Sequence, residues 1–336
     1  MTEPPRNRLR RQPGAPLRRA LPLREIAFFV LVAYALAWAV HAPLLLGGTG
    51  PDDPAYGLAA TVYMFTPAVA AAAVTLFVWR PSGFARALGL AARGSWRRAG
   101  GYSLLAFALM PLLGFAAALA AGLVGAVRLD LVDFSGLREV LPDFVPDLAA
   151  AMPDSGFPWA AFLAALGVVL VSSVPALVLA FGEELGWRGY LLPRLLPLGV
   201  WPALAVSGAV WGLWHAPQLL IQYLHGGFDG AQVALFLVFC VVAGVVIGWF
   251  RLASGSVWPA VLAHGANNAL NTIGFVTLSA AGSPVDGLLY PGGLGGLVGL
   301  GVLGAVAAVL ALTGRLRVRD FDRVRTGGGA EEPATA

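Results

Sequence analysis

Apolar residues run along this chain in blocks of about twenty, separated by short polar connections, rather than alternating every second position as in a half-buried strand. Eight such blocks can be drawn: Ile26 to Leu46, Gly57 to Trp79, Tyr102 to Val127, about Ala165 to Tyr190, about Trp201 to Ile221, Ala231 to Phe250, about Val257 to Val276, and Leu288 to Thr313. A helix of that length spans the roughly 30 Å hydrocarbon core and satisfies its own backbone hydrogen bonds. The pattern predicts an all-α, polytopic membrane protein of about eight transmembrane helices. The first block is too long for a signal-peptide core and has no convincing small-residue cleavage site, so it is expected to stay in the mature protein.

Composition strengthens this picture. Of 336 residues 58% are hydrophobic and 12% charged, which overrules the two soluble domains that length alone would suggest. The segments outside the blocks are a basic, proline-rich tail over residues 1–24, expected to be disordered near anionic lipid, and a C-terminal tail over 314–336. Between them, residues 25–313 form one membrane domain. The acidic stretch from Arg128 to Pro158 is read as an outer loop carrying one interfacial helix. Small-residue pairs, Gly292 with Gly296 and Gly295 with Gly299, suggest close helix contact in the last span. No internal repeat is evident. The single cysteine, Cys240, excludes an intramolecular disulfide.

Charge orients the chain. Seven arginines lie in the N-terminal tail, five between Arg80 and Gly100, and five in the C-terminal tail, while the alternate loops hold only Arg128 and Arg138. By the positive-inside rule both termini lie in the cytoplasm of a multi-pass cell-membrane protein, and an even helix count agrees with that. The net charge of +4 comes from arginines dispersed between apolar spans, so no nucleic-acid partner is expected; the partners implied are membrane lipid and a membrane-associated peptide or protein substrate.

Few strong polar side chains remain inside the blocks. Phe181 to Tyr190, FGEELGWRGY, carries Glu183, Glu184 and Arg188. Charges at bilayer depth are costly and are read as functional. In a helix Glu184 and Arg188 stand at i and i+4 and can pair, leaving Glu183 on another face. His215 follows in WGLWHAPQ, and His264 opens HGANNALN, where Asn267, Asn268 and Asn271 extend a polar stripe. With these span boundaries His215 is offset in depth from Glu183 and His264 by about 10 Å, less if the fifth helix begins near Leu204. Trp187 and Trp214 stand beside the motif residues, as groove lining or as packing. His41 and His225 fall at or beyond the outer boundary.

A carboxylate and two imidazoles support two hydrolytic chemistries: Glu183 as general base on water with oxyanion donors from His264 and Asn268, or a zinc ion on Glu183, His215 and His264. No HExxH motif favours the metal. A proton-coupled transporter using the same groups as a relay is the non-hydrolytic alternative.

The order Glu183-Glu184-x-x-x-Arg188, aromatic-x-x-x-His215, His264-x-x-x-Asn268 on separate helices resembles the CPBP intramembrane proteases, also called the CAAX prenyl endopeptidase-like or Abi family. The resemblance covers roughly Ala164 to Val276. It implies an intramembrane endopeptidase in which Glu183 and His215 activate water, His264 and Asn268 form the oxyanion site, and Glu184 with Arg188 supports the arrangement. A catalytically silent scaffold or bacteriocin-immunity-type protein of the same fold is the alternative within that resemblance. The family often has phenylalanine where Trp211 stands here, which bears on pocket shape.

Overall fold

The computed structural model describes residues 21–92 and 95–316. Arg93, most of the basic N-terminal tail and nearly all of the C-terminal tail lie outside the described residues. Within them the chain is helical, and two isolated bridges, Leu129 with Ser279 and Asp286 with Tyr290, stand where strands are absent.

Among the described residues five helices are long and apolar enough to cross a membrane: α1 Leu23–Gly47, α2 Pro54–Trp79, α3 Trp96–Leu123, α5 Trp159–Leu198 and α8 Gly230–Ser254. Between α3 and α5 lies the short α4, Ser135–Phe144. The pair α6 Val200–Trp214 and α7 Ala216–Leu224, bent by 47°, makes a sixth span when taken together. Pro217 sits at that bend; its ring lacks an amide donor, so the helix cannot run straight through.

Two expected spans are shorter than the apolar pattern suggests. The block at 257–276 divides into α9, Trp258–Leu270, and α10, Ile273–Leu278, parted at the polar Asn271 and Thr272. The block at 288–313 contributes only α11, Leu297–Leu312, about 24 Å of helix. Pro291 and the glycines after it are apolar in composition but hold a loop, with Gly292 at φ +93°. Gly292 and Gly295 therefore precede the helix, Gly296 is its N-cap, and the expected small-residue contact face is not formed there.

In the 128–158 loop the two arginines have structural partners. Arg138 donates to the carbonyls of Asp133, Pro153 and Gly156, and Arg128 to that of Gly282. These two arginines staple loop backbone. Asp130 caps the turn before α4, accepting from the Ser135 hydroxyl at 2.6 Å and from the amides of Asp133, Ser135 and Val132. That Ser135 bond, then the amide bonds, hold the Asp130 carboxyl well below the usual carboxylate range.

Close helix approach positions the centre. A Cβ on Gly182 would stand 2.7 Å from the Met64 carbonyl oxygen, and one on Gly186 2.7 Å from that of Pro67. These two glycines, one turn apart on either side of Glu183, let α5 lie against the backbone of α2. Gly208 does the same for α6 on α8, where a Cβ would meet Val241 Cα at 2.7 Å.

Candidate active site

α5 supplies the charges. Its central turns, Leu185–Leu191, are π-helical, with the Leu192 amide bonded to the Trp187 carbonyl. Such widened turns are uncommon and gather at functional sites. The local i, i+4 pairing nevertheless forms: Arg188 donates to Glu184 Oε1 at 2.6 Å, with both side chains almost fully buried. His264 Nδ1 reaches the same oxygen at 2.8 Å. Arg251 of α8 donates to the Arg188 carbonyl at 2.9 Å, fixing the π turn from behind.

Glu183 points elsewhere. It is 2% exposed and lines a cavity of about 420 Å³ with His215, Gln218, His264, Asn267, Asn268 and Asn271. Its Oε2 accepts from the Trp211 indole N–H at 2.7 Å, and its Oε1 accepts no hydrogen bond among the described residues. All four residues expected to act on substrate, Glu183, His215, His264 and Asn268, thus share one cavity wall, whereas Glu184 and Arg188 stand behind it.

The expected depth offset does not keep these residues apart, and the fifth helix does not start late. α5 continues to Leu198 instead of ending at Tyr190, and Gly199 turns directly into α6 at Val200. Glu183 and His215 then stand equally far along the chain from Gly199, and both line one cavity. His264 joins them because α9 starts well inside the fold. Val257 N–H and Ser256 Oγ donate to the Gly89 carbonyl, and Trp258 Nε1 donates to that of Leu90, so the 84–92 connection closes over the α8–α9 turn.

Hydrogen bonds assign the tautomers. His215 Nδ1 lies 3.0 Å from the Trp211 carbonyl oxygen, which can only accept, so Nδ1 carries the proton and Nε2 keeps its lone pair. Opposite the Glu184 carboxylate, His264 Nδ1 is likewise the protonated nitrogen. Donation from Nε2 as well would require the imidazolium form of that ring, with Glu184 as its counter-charge. Asn268, the exposed member of the set, accepts from Asn267 Nδ2 at 3.2 Å through its Oδ1, which leaves its own amide N–H groups for a ligand. Asn271 donates to the Asn267 carbonyl and extends the same wall.

The zinc alternative does not fit these side chains. Among the described residues no group of three His, Cys, Asp or Glu converges closely enough to hold a metal ion.

Sequence reasoning missed Tyr63 and Gln218. The Tyr63 hydroxyl donates to Gln218 Oε1 at 2.7 Å on the cavity wall. Gln218 was findable as the polar residue three positions after His215, while Tyr63 had no signal within its apolar span. Trp187 and Trp214 are packing residues: Trp214 stacks on Tyr63 at 4.1 Å and meets Trp187 edge-on at 5.6 Å, and neither lines the cavity. His41 is fully buried against Tyr63, and it too lies off the cavity.

Residues 158–270 match the family model described as type II CAAX prenyl endopeptidase Rce1-like. The match covers about a third of the chain and runs from the start of α5 to the end of α9, the stretch that carries Glu183, His215, His264 and Asn268. No curated protein matches the chain. At the coarse level this is a multi-pass membrane protein with a protease-type, hence hydrolase-type, segment. The segment that carries Glu183, His215 and His264 is thus similar to the Rce1-like CAAX prenyl endopeptidases, the family its three motifs resemble.

Proposed function

We propose that this protein is an intramembrane endopeptidase that cleaves a peptide bond of a membrane-associated substrate with a glutamate-activated water. The observation carrying this reading is the convergence of Glu183, His215, His264 and Asn268, from three separate helices, on one cavity, while the neighbouring Glu184 is already engaged by Arg188 and His264.

Glu183 Oε1 takes a proton from water as the water oxygen attacks the scissile carbonyl carbon, with the His215 Nε2 lone pair sharing that proton. The oxyanion that forms is met by donors from His264 Nε2 and the Asn268 amide. Collapse of the tetrahedral intermediate breaks the C–N bond, and the proton held by Glu183 passes to the leaving nitrogen. Glu184 and Arg188 do not touch substrate; they hold the His264 ring and neutralise each other in the apolar interior.

The surrounding topology follows the arginine count: eight crossings with both termini in the cytoplasm, α9 with α10 and α11 serving as the short seventh and eighth spans. The cavity is reached by peptide segments at the membrane, in contact with lipid, and nucleic acid plays no part.

The test is cleavage of membrane-proximal fluorogenic peptides, prenylated and plain, by detergent-purified protein. Cleavage by wild type, its loss in Glu183→Ala and its persistence with a metal chelator are expected. Full activity of Glu183→Ala contradicts the mechanism, and chelator-sensitive activity restored by zinc replaces it with a metal site.

A further inference from the structure

We infer that Trp211 is a positioning residue for Glu183, orienting its carboxylate through the indole N–H and leaving Oε1 turned to the attacking water. The inference rests on the endopeptidase reading and adds a residue that the family pattern does not supply, because a phenylalanine at this position has no donor.

The geometry is specific to the indole. Nε1 lies 2.7 Å from Glu183 Oε2, with Trp211 only 3% exposed. The ring cannot swing away: the Arg188 guanidinium carbon sits 4.4 Å from its centroid, and the His264 ring meets it at 5.2 Å with planes 69° apart. The same residue's carbonyl receives His215 Nδ1 at 3.0 Å. Trp211 therefore touches Glu183, Arg188, His264 and His215, and its side chain is clamped by the ion pair behind the wall. The terminal torsion of a glutamate is soft and nearly two-fold, so an unheld carboxyl samples both faces. A donor on one oxygen removes that freedom and favours the ionised form, the form a general base needs.

Two replacements isolate the donor. Trp211→Phe keeps an aromatic ring, and site-specific incorporation of β-(benzothienyl)alanine keeps the bicyclic shape while replacing N–H by sulfur. Both are expected to lower kcat about tenfold, the scale of one hydrogen bond to a charged group, with KM within about twofold. The acid limb of the kcat/KM profile should move to higher pH in both. Wild-type kcat and an unmoved acid limb in the benzothienyl protein overturn the inference, as does a rise in KM alone, which would make Trp211 a pocket-shape residue.

A second arm needs no proteolysis. Among the indole N–H resonances of the 15N-labelled protein, the one missing in Trp211→Phe should lie downfield in wild type and shift upfield in Glu183→Gln. No shift in Glu183→Gln overturns the hydrogen bond itself. A shift without peptide cleavage by wild type leaves the positioning contact standing and counts against the endopeptidase reading instead.

Discussion

The cavity wall and the 128–158 loop handle charge in opposite ways. Around α5 the polar groups are buried and matched side chain to side chain: Glu184 faces Arg188 and His264, and all three side chains are nearly sealed from solvent. Across the 128–158 loop, Arg138 and Asp130 are only partly buried and are matched to backbone, three carbonyls for the one, amides and a hydroxyl for the other. In an apolar interior a charge needs a fixed counter-charge, because desolvation is otherwise uncompensated. In water the same residue types can serve as loop clips at little cost. Removing one partner should therefore be severe in the first region and mild in the second.

The largest effect is expected from Arg188→Met, which strips Glu184 of its buried cation and Trp211 of the guanidinium over its ring. A loss of about 3–5 kcal/mol is expected, read as a large drop in the thermal midpoint in detergent, with partial recovery in the Arg188→Met, Glu184→Gln double variant. An unchanged midpoint would mean that water reaches the pair. Gly186→Ala comes next, since its Cβ would press on the backbone of Pro67; overpacking of this kind costs about 1–3 kcal/mol. If that variant melts like wild type, α5 and α2 are less tightly apposed than described.

The smallest effect belongs to the 128–158 loop and is a pH effect. The Asp130 carboxyl is depressed in the folded state, first by the Ser135 hydroxyl. Its contribution is then complete above the unfolded value of about 4 and fades as pH falls through the lower folded value. Amide exchange of residues 128–158 should accelerate below about pH 4 in wild type and show no such dependence in Asp130→Asn. Parallel curves for the two proteins would remove the clip. Peptide cleavage at neutral pH should be the same in both.

Much of this was legible from residues close in sequence. The Glu184–Arg188 pair follows from i, i+4 spacing, and the stripe from His264 to Asn271 from helical periodicity, so these local relations survived into the structure. Relations set by span boundaries were less legible. Leu191 to Leu198 carries Pro193 and Pro197 and reads as a loop, yet α5 runs through it to the turn at Gly199, and Glu183 and His215 meet at one cavity. Pro291 to Gly296 reads as membrane-embedded by hydropathy, although proline and glycine favour a turn there. The Trp211–Glu183 bond joins residues 28 apart on different helices and leaves no mark in either motif. Arg128 and Arg138 looked like exceptions to a topology rule and proved to be ties between loop carbonyls.

Two adjacent carboxylates, one working and one holding, are the centre of this account. The most direct test is to measure the peptide cleavage rate and the thermal midpoint of Glu183→Gln and Glu184→Gln side by side in one detergent. We expect Glu183→Gln to lose about 10²–10⁴-fold in rate, the scale of a general base, with its midpoint kept. Glu184→Gln should lose several degrees in midpoint because Arg188 is left buried without its counter-charge. The reverse assignment, activity kept in Glu183→Gln and lost in a fully stable Glu184→Gln, would contradict it.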